Sequence, residues 1–383
     1  MKQRLKVLHL CDSLSVGGAE RLILSMVERM DRSRFEFHVC SLKVIRNDFL
    51  RPDFERIGVP LYSVNAKRFY DIRTFQNVAR YIREHNIDIV HTQLTSADIV
   101  GRIVGKMTGR PVISTLQNEP QDYNRERFDR RWLEQLTIQL CKPYLVAVSH
   151  RIREMFIQEW QIPADSIAMI YNAVPMEQYL QVPEGTPERE GSVGPIITNI
   201  GRLSPQKAQH HLLETARIVL EQRPEVRFMI VGQGRLEGEL KAQAQVLGIS
   251  NKVTFTGPRK DIPDILAQTD IFVLSSLWEG LPLTAIEAMA SARAVVLTDV
   301  GGNRELVETS SNGLIVPPGD VSALANALLT LVNDAQCRVA FGKAARARVR
   351  VDFSIETITR QYEVLYETIA QRQRRPIAEL FRS

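Results

Sequence analysis

The sequence has only four cysteines, Cys11, Cys40, Cys141 and Cys337, and no CxxC pair among them. That scatter offers neither a zinc site nor a disulfide framework and fits a reducing, cytoplasmic compartment. No apolar run nears the roughly 18–20 residues of a membrane span. The start, MKQRLKVLHLCDSLSVGGAE, is basic, but its apolar stretch is short and broken by Asp12. It is expected to form a first β-strand rather than an export signal. No Asp-x-Asp occurs, nor HExxH, Gly-x-Ser-x-Gly or a phosphate loop ending in Gly-Lys-Ser/Thr. These absences argue against metalloprotease, α/β-hydrolase and P-loop NTPase chemistry. No repeat recurs at a fixed short period. The net charge is only +5, too low a density for a nucleic-acid partner. Its excess falls mostly in the first half and in the tail QRQRRPIAELFRS, where it could meet an anionic membrane surface or acceptor.

What is present is an alternation. Hydrophobic residues make up 44% of the 383 positions and charged residues 24%, ordinary globular values. Short β-branched runs, among them VLHL (7–10), IDIVH (87–91), PVIST (111–115) and YLVAVS (144–149), are separated by helical periods such as 19–30, 72–85 and 96–108. Near-continuous apolar strands between helices mean a parallel sheet covered on both faces. The Pro-, Gly- and Glu-rich stretch QVPEGTPEREGSVGP (181–195) interrupts the pattern, which then resumes with IITNIG (196–201), RFMIVG (227–232) and DIFVLSS (270–276). The fold class is therefore α/β, with two doubly wound Rossmann-like domains. Their expected bounds are 1–175, a linker 176–195, 196–352, and a closing helix with a basic tail over 353–383. Such sheets bind ligands at the carboxyl ends of their strands.

Several strand-to-helix turns carry chemistry. GQGRLEG (232–238) resembles a dinucleotide fingerprint, but no acidic residue ends the next strand, so Gly232 and Gly234 are expected to serve a tight turn and close backbone approach. In SSLWEGLPLTAIEAMA (275–290), Gly280 permits an unusual turn and Pro282 suits a helix start, whose free amides make an anion site. Glu279 lies before that helix and Glu287 eight positions later, roughly 7 Å along it at about 1.5 Å per residue. Carboxylates flanking an anion site suit a ligand with phosphates in the middle and hydroxyls at both ends, as in a nucleotide sugar. In GRLSPQK (201–207), Arg202 and Lys207 favour a diphosphate and would stabilise it as a leaving group. TDVGGNRELVE (298–308) adds a third turn, with Glu305 in the first helical turn after Gly301-Gly302. Gly17-Gly18 precede the first helix and present backbone amides.

Together these segments resemble family 4 retaining glycosyltransferases of the GT-B fold, in which two Rossmann-like domains face a central cleft. The second half matches through GRLSPQK, EGLPLTAIE, AMASARAVVLTDVGG with NRE, and NGLIVPPGD, and the first through VGGAER, DIVHTQ, PVISTLQN, VAVSHRIRE and IYNAV. The likeness covers roughly residues 5–350. It implies that Arg202 and Lys207 bind the donor diphosphate, that Glu279 holds hydroxyls of the transferred sugar and that Glu287 holds the ribose. Gly280, Leu281, Gly17 and Gly18 would line the sugar and phosphates, with Glu305 beside them. Gly257 and Arg259 would lie near the nucleobase. The last helix would cross back onto the first domain. The family's His-x-His is here His91-Thr92-Gln93, and a usual histidine after the fifth strand is Gln117, which cannot titrate. Asn172-Ala173 stands for a usual Asn-Gly, and Ala292 for a usual glycine. The implied catalytic set is Glu279, Arg202, Lys207 and Gln117. Acceptor candidates are His91, Gln93, Asn118 and Arg125, within a segment 117–131 that also carries Arg127, Arg130 and Arg131.

The resemblance implies a cytoplasmic, metal-independent hexosyltransferase that retains configuration and needs no cofactor, the nucleotide-diphosphate sugar being a co-substrate. Its acceptor would be a glycan or lipid-linked sugar in cell-surface polysaccharide or lipopolysaccharide assembly, with peripheral membrane contact. Two alternatives share the fold. A nucleotide-sugar epimerase would turn over donor without acceptor, and a catalytically silent subunit would bind donor and consume none.

Overall fold

The computed structural model describes residues 4–14, 17–43, 50–66, 71–119, 128–185, 194–371 and 380. The chain divides into two compact units, Met1–Asn172 with Ile355–Ser383, and Ala173–Ser354.

In the first unit, described strands β1 (Leu5–Cys11), β2 (Phe35–Ser41), β3 (Leu61–Ser63), β4 (Ile89–Gln93), β5 (Val112–Leu116), β6 (Tyr144–Ala147) and β7 (Ile167–Met169) form one sheet in the order β3-β2-β1-β4-β5-β6-β7. Every pairing is parallel. Between the strands run α1 (Gly18–Arg29), α2 (Arg51–Arg56), α3 (Ile72–Glu84), α4 (Thr95–Thr108), α5 (Phe128–Cys141) and α6 (His150–Trp160). Helices cover both faces, so β4 and β5 are buried along their whole length, the polar His91, Thr92, Gln93, Ser114 and Thr115 included. The strand order turns back between β1 and β4, which makes the carboxyl ends of those strands the expected ligand edge.

The second unit holds α7 (Glu177–Leu180), β8 (Ile196–Ile200), α8 (Gln209–Gln222), β9 (Arg227–Val231), α9 (Glu237–Val246), β10 (Val253–Gly257), α10 (Ile262–Ala267), β11 (Ile271–Leu274), α11 (Leu283–Ala290), β12 (Ala294–Thr298), α12 (Asn303–Leu306), β13 (Leu314–Val316), α13 (Val321–Asn333) and α14 (Ala335–Asp352). Its described strands form a parallel sheet in the order β10-β9-β8-β11-β12-β13, with the switch between β8 and β11. The closing helix α15 (Ile355–Ala370) belongs to the first unit and buries Ile358, Tyr362, Leu365, Tyr366 and Ile369, the stripe of a 3.6-residue period.

The expected linker begins too early. Met176, Tyr179 and Val182 recur every three residues and are all buried in the second unit. The Arg346 guanidinium donates to the carbonyls of Tyr179 at 3.3 Å and Val182 at 2.8 Å. The apolar spacing and these bonds fix residues 173–185, while 186–193 lie outside the described residues.

The Gly232-Gln233-Gly234 turn has a structural cause. A Cβ on Gly232, whose φ is 136°, would stand 2.0 Å from the Gly201 carbonyl oxygen, and one on Gly234 would stand 2.1 Å from that of Leu203. The two loops are locked together, with Leu203 N–H donating to Gln233 O at 3.0 Å. Gly232→Ala is therefore expected to destabilise the second unit by about 2–3 kcal/mol, from strain and backbone overlap together. Urea unfolding of the variant beside wild type measures it.

Candidate active site

In the second unit, three loops meet at the carboxyl ends of β8, β11 and β12. The loop after β8 is tied to the loop after β11 through the backbone of Gln206. Its carbonyl accepts from Leu277 N–H at 2.8 Å, and its side-chain amide donates to Trp278 O at 3.1 Å. Ser275 Oγ donates to Lys207 O at 2.9 Å. The loop after β12 joins through Thr298 Oγ1, which donates to Ser276 O at 2.7 Å, and through Gly302 N–H, which donates to Gly280 O at 2.7 Å. The left-handed residue of this junction is Gly301, with φ 49°, not Gly280 as the sequence suggested. A Cβ on Gly301 would stand 1.9 Å from Glu279 O, so only glycine lets the loops close up.

This stitching sets the side chains. The Lys207 ammonium pairs with Glu279 Oε1, which also accepts from Ser276 Oγ at 2.6 Å. Both charged side chains are largely withdrawn from water, Lys207 at 15% and Glu279 at 6% exposure. The short preceding 3-10 turn (Pro205–Lys207) and left-handed Ala208, at φ 46°, aim Lys207 at this carboxylate. Leu281 is buried, and Pro282 is the N-cap residue of α11; Ala285 N–H donates to Pro282 O at 3.1 Å, and the Leu283 and Thr284 amides ahead of it have no intrahelical acceptors. On the buried face of α11, Glu287 Oε1 accepts from Tyr179 OH at 2.8 Å. Ser276 and Tyr179 are site residues that the motifs did not reveal. The three-residue apolar spacing around Tyr179 was the available signal.

The remaining second-unit candidates lie around this core. Arg202 is exposed, the second residue after β8. Arg259 follows left-handed Gly257, at φ 73°, and is held by Asp261 with Nε to Oδ1 at 2.8 Å. Glu305 is half-buried in α12.

The first unit sorts its candidates differently. His91 is fully buried, with Nδ1 2.7 Å from Tyr366 OH and Nε2 2.8 Å from Thr115 Oγ1. Burial and the neighbouring His9 ring hold it well below the usual histidine range. It is a neutral core histidine, so the acceptor role expected of it is withdrawn. Gln93, Gln117 and Asn172 instead form an amide cluster at the carboxyl edge of the sheet, followed by half-buried Asn118. Arg125 and Arg127 lie outside the described residues. Arg130 belongs to α5, and Arg131 stands 3.8 Å from the Glu159 carboxylate. Gly17 makes room for a neighbour, since a Cβ there would stand 2.0 Å from Glu20 Oε2, while Gly18 is exposed at the start of α1. Among the described residues, no group of three or more His, Cys, Asp or Glu could hold a metal ion, and no helix is long and apolar enough to cross a membrane.

Residues 16–178 match the family model for Glycosyltransferase Family 4, and residues 187–348 match that for Glycosyl transferases group 1. The chain is 26% identical over 365 residues to the UDP-Gal:alpha-D-GlcNAc-diphosphoundecaprenol alpha-1,3-galactosyltransferase of Escherichia coli, covering 92% of this chain and 94% of that protein. A lipopolysaccharide core biosynthesis mannosyltransferase of Rhizobium meliloti is 32% identical over 176 residues, 44% of this chain and 50% of the relative. Among solved structures, Anabaena HepE in complex with UDP and glucose matches with a TM-score of 0.83 at 23% identity, over 95% of this chain and 100% of that one. That last likeness establishes the shared fold.

Proposed function

Because this chain belongs to the family 4, group 1 glycosyltransferases of the GT-B fold, we propose that it transfers a hexose from a uridine diphosphate sugar to a lipid-linked glycan, with retention of configuration. The observation that carries this reading is the Lys207–Glu279–Ser276 cluster at the start of α11, with Glu287 on the same helix. The uridine base is supported by the UDP-galactose named for the E. coli relative and the UDP bound to Anabaena HepE. The acceptor class is supported by the diphosphoundecaprenol of that relative and the lipopolysaccharide role of the R. meliloti protein.

In this reading the second unit holds the donor. The amides of α11, Lys207 and Arg202 take the diphosphate, and the positive end of the helix dipole stabilises the charge that builds on it as it leaves. Glu279 holds hydroxyls of the hexose while keeping the Lys207 ammonium in place, and Glu287 binds the ribose. The bond from the anomeric carbon to the diphosphate oxygen breaks. A bond to the acceptor oxygen forms on the same face, and the acceptor proton passes to the leaving diphosphate. No cofactor or metal takes part, because the cationic side chains and helix amides meet the charge of the leaving group. The reaction takes place at the cytoplasmic face of a membrane, where a lipid-linked acceptor resides and where the basic first unit meets anionic headgroups.

A thermal-shift panel with UDP, GDP, ADP and CMP tests the donor assignment. UDP at about 100 times its dissociation constant is expected to add about 2.7 kcal/mol and to raise the Tm by several degrees. GDP and ADP are expected to shift it by less than one degree. No shift with UDP overturns the donor assignment, and UDP binding without turnover of any UDP-hexose favours the silent subunit.

A further inference from the structure

Two buried guanidinium groups stand at the carboxyl end of α11. Arg346 Nε donates to Ala290 O at 2.8 Å and Arg293 Nε to Ser291 O at 2.9 Å, where the negative end of the helix dipole favours a cation. The same two groups reach the segment that opens the second unit. Arg346 Nη2 bonds the Tyr179 and Val182 carbonyls, and its Nη1 stands 3.1 Å from Glu184 Oε1. Arg293 Nη1 donates to Gly185 O at 2.9 Å, and its Nη2 donates to Pro183 O. Residues 179–185 are thereby clamped to the helix that carries Glu287. Their aromatic side chain, Tyr179, is fully buried, and its hydroxyl donates to Glu287 Oε1 at 2.8 Å. Phenylalanine would fill almost the same space, so burial alone does not account for the hydroxyl. It supplies a charge-assisted hydrogen bond to a carboxylate whose residue is only 4% exposed.

We infer that Tyr179 is a positioning residue for the Glu287 carboxylate, and that its hydroxyl sets how strongly the site selects a nucleotide by its ribose hydroxyls. A glutamate side chain turns about three bonds, and freezing them at the moment of binding costs affinity. A hydrogen bond made before the ligand arrives removes part of that cost and fixes the plane in which the carboxylate accepts. The hydroxyl is itself a fixed point. Tyr179 cannot shift without breaking the bonds that Arg346 makes to its own carbonyl and to that of Val182. Tyr179 therefore acts through Glu287 on recognition of the ribose and touches neither the sugar nor the reacting atoms.

The inference rests on the proposed donor site, with Glu287 on the ribose, and the test separates the two. Isothermal titration with UDP and with 2′,3′-dideoxy-UDP, which has no ribose hydroxyl, compares wild type, Tyr179→Phe, Glu287→Ala and the double variant, with the Tm of each. Tyr179→Phe removes one oxygen and is expected to lower the Tm by no more than about three degrees. It is expected to raise the Kd for UDP by about 5- to 20-fold and to leave the Kd for the dideoxy nucleotide within about twofold. In the Glu287→Ala background the same change is expected to alter neither Kd by more than about twofold, because the group it positions is gone. A merely structural tyrosine would weaken both nucleotides together, so equal weakening overturns the inference, as does a Kd for UDP that stays within about twofold of wild type. In either case a Glu287→Ala protein that still loses UDP leaves the donor site standing. A wild type that binds neither nucleotide, or binds both equally, overturns the ribose assignment and this inference with it.

Discussion

Glu279→Gln is expected to lower kcat for sugar transfer by about 100- to 1,000-fold while the Kd for UDP stays within about threefold. The carboxylate has two tasks in one place. It holds the Lys207 ammonium and accepts from Ser276 Oγ, and in the proposed complex it binds the hexose. Glutamine preserves the shape but removes the charge that fixes the lysine, so the ammonium is free to leave the position where it meets the departing diphosphate. Because this stabilisation grows as charge develops, the loss falls on turnover more than on ground-state binding. Glu287→Ala should show the opposite split. It sits on the buried face of α11 beside Tyr179 OH, and losing a charged hydrogen bond to the ribose is expected to raise the Kd for UDP by about 10- to 100-fold. Isothermal titration with UDP, and rates at saturating donor, separate the two effects. Full activity in both variants would mean that the donor lies elsewhere.

The parallel sheets and the carboxyl-edge motifs were legible because each rests on local pattern. Near-continuous apolar strands announce two-sided burial, and the glycine-rich turns after β8, β11 and β12 announce loops that must approach closely. What escaped depends on contacts distant in sequence. The Tyr179 hydroxyl reaches Glu287, 108 positions away, from within the expected linker 176–195. His91 was placed in the acceptor site because it stands at the first position of the family's His-x-His. Its partner Tyr366 lies 275 residues on, in a closing helix that the resemblance assigns to the first domain without showing which of its side chains meet the sheet. An unusual turn was assigned to Gly280, yet the steric need falls on Gly301, from a different loop. Local spacing specifies turns and faces, whereas such pairings are set by how the layers pack.

The buried histidines that link α15 to the first sheet lead to the second large effect. Between pH 7.5 and pH 5, His9→Phe is expected to gain about 2 kcal/mol of stability relative to wild type, and His9→Phe/His91→Gln more than the single variant. The His9 and His91 rings lie with centroids 4.9 Å apart, and Tyr366 OH stands 3.5 Å from His9 Nε2 while bonding His91. Burial brings His9 down to about 3 and holds His91 well below the usual histidine range, so both rings are neutral in the fold. The unfolded chain takes up their protons near pH 6.5. Their contribution is therefore complete above that value and falls as the pH drops through it, by about 2 kcal/mol for His9 at pH 5. The buried carboxyls Asp98 and Glu134 in the same unit act in the opposite direction, because burial raises both. They are common to every variant and cancel in the difference. Urea unfolding at the two pH values reads the gap directly. A gap that does not change with pH would mean that the native rings take up protons as readily as the unfolded chain, which is incompatible with a dry Tyr366–His91–Thr115 cluster. A gap that widens as expected would tie the seating of α15 to the neutral state of these two rings, since Tyr366 on that helix bonds His91 directly.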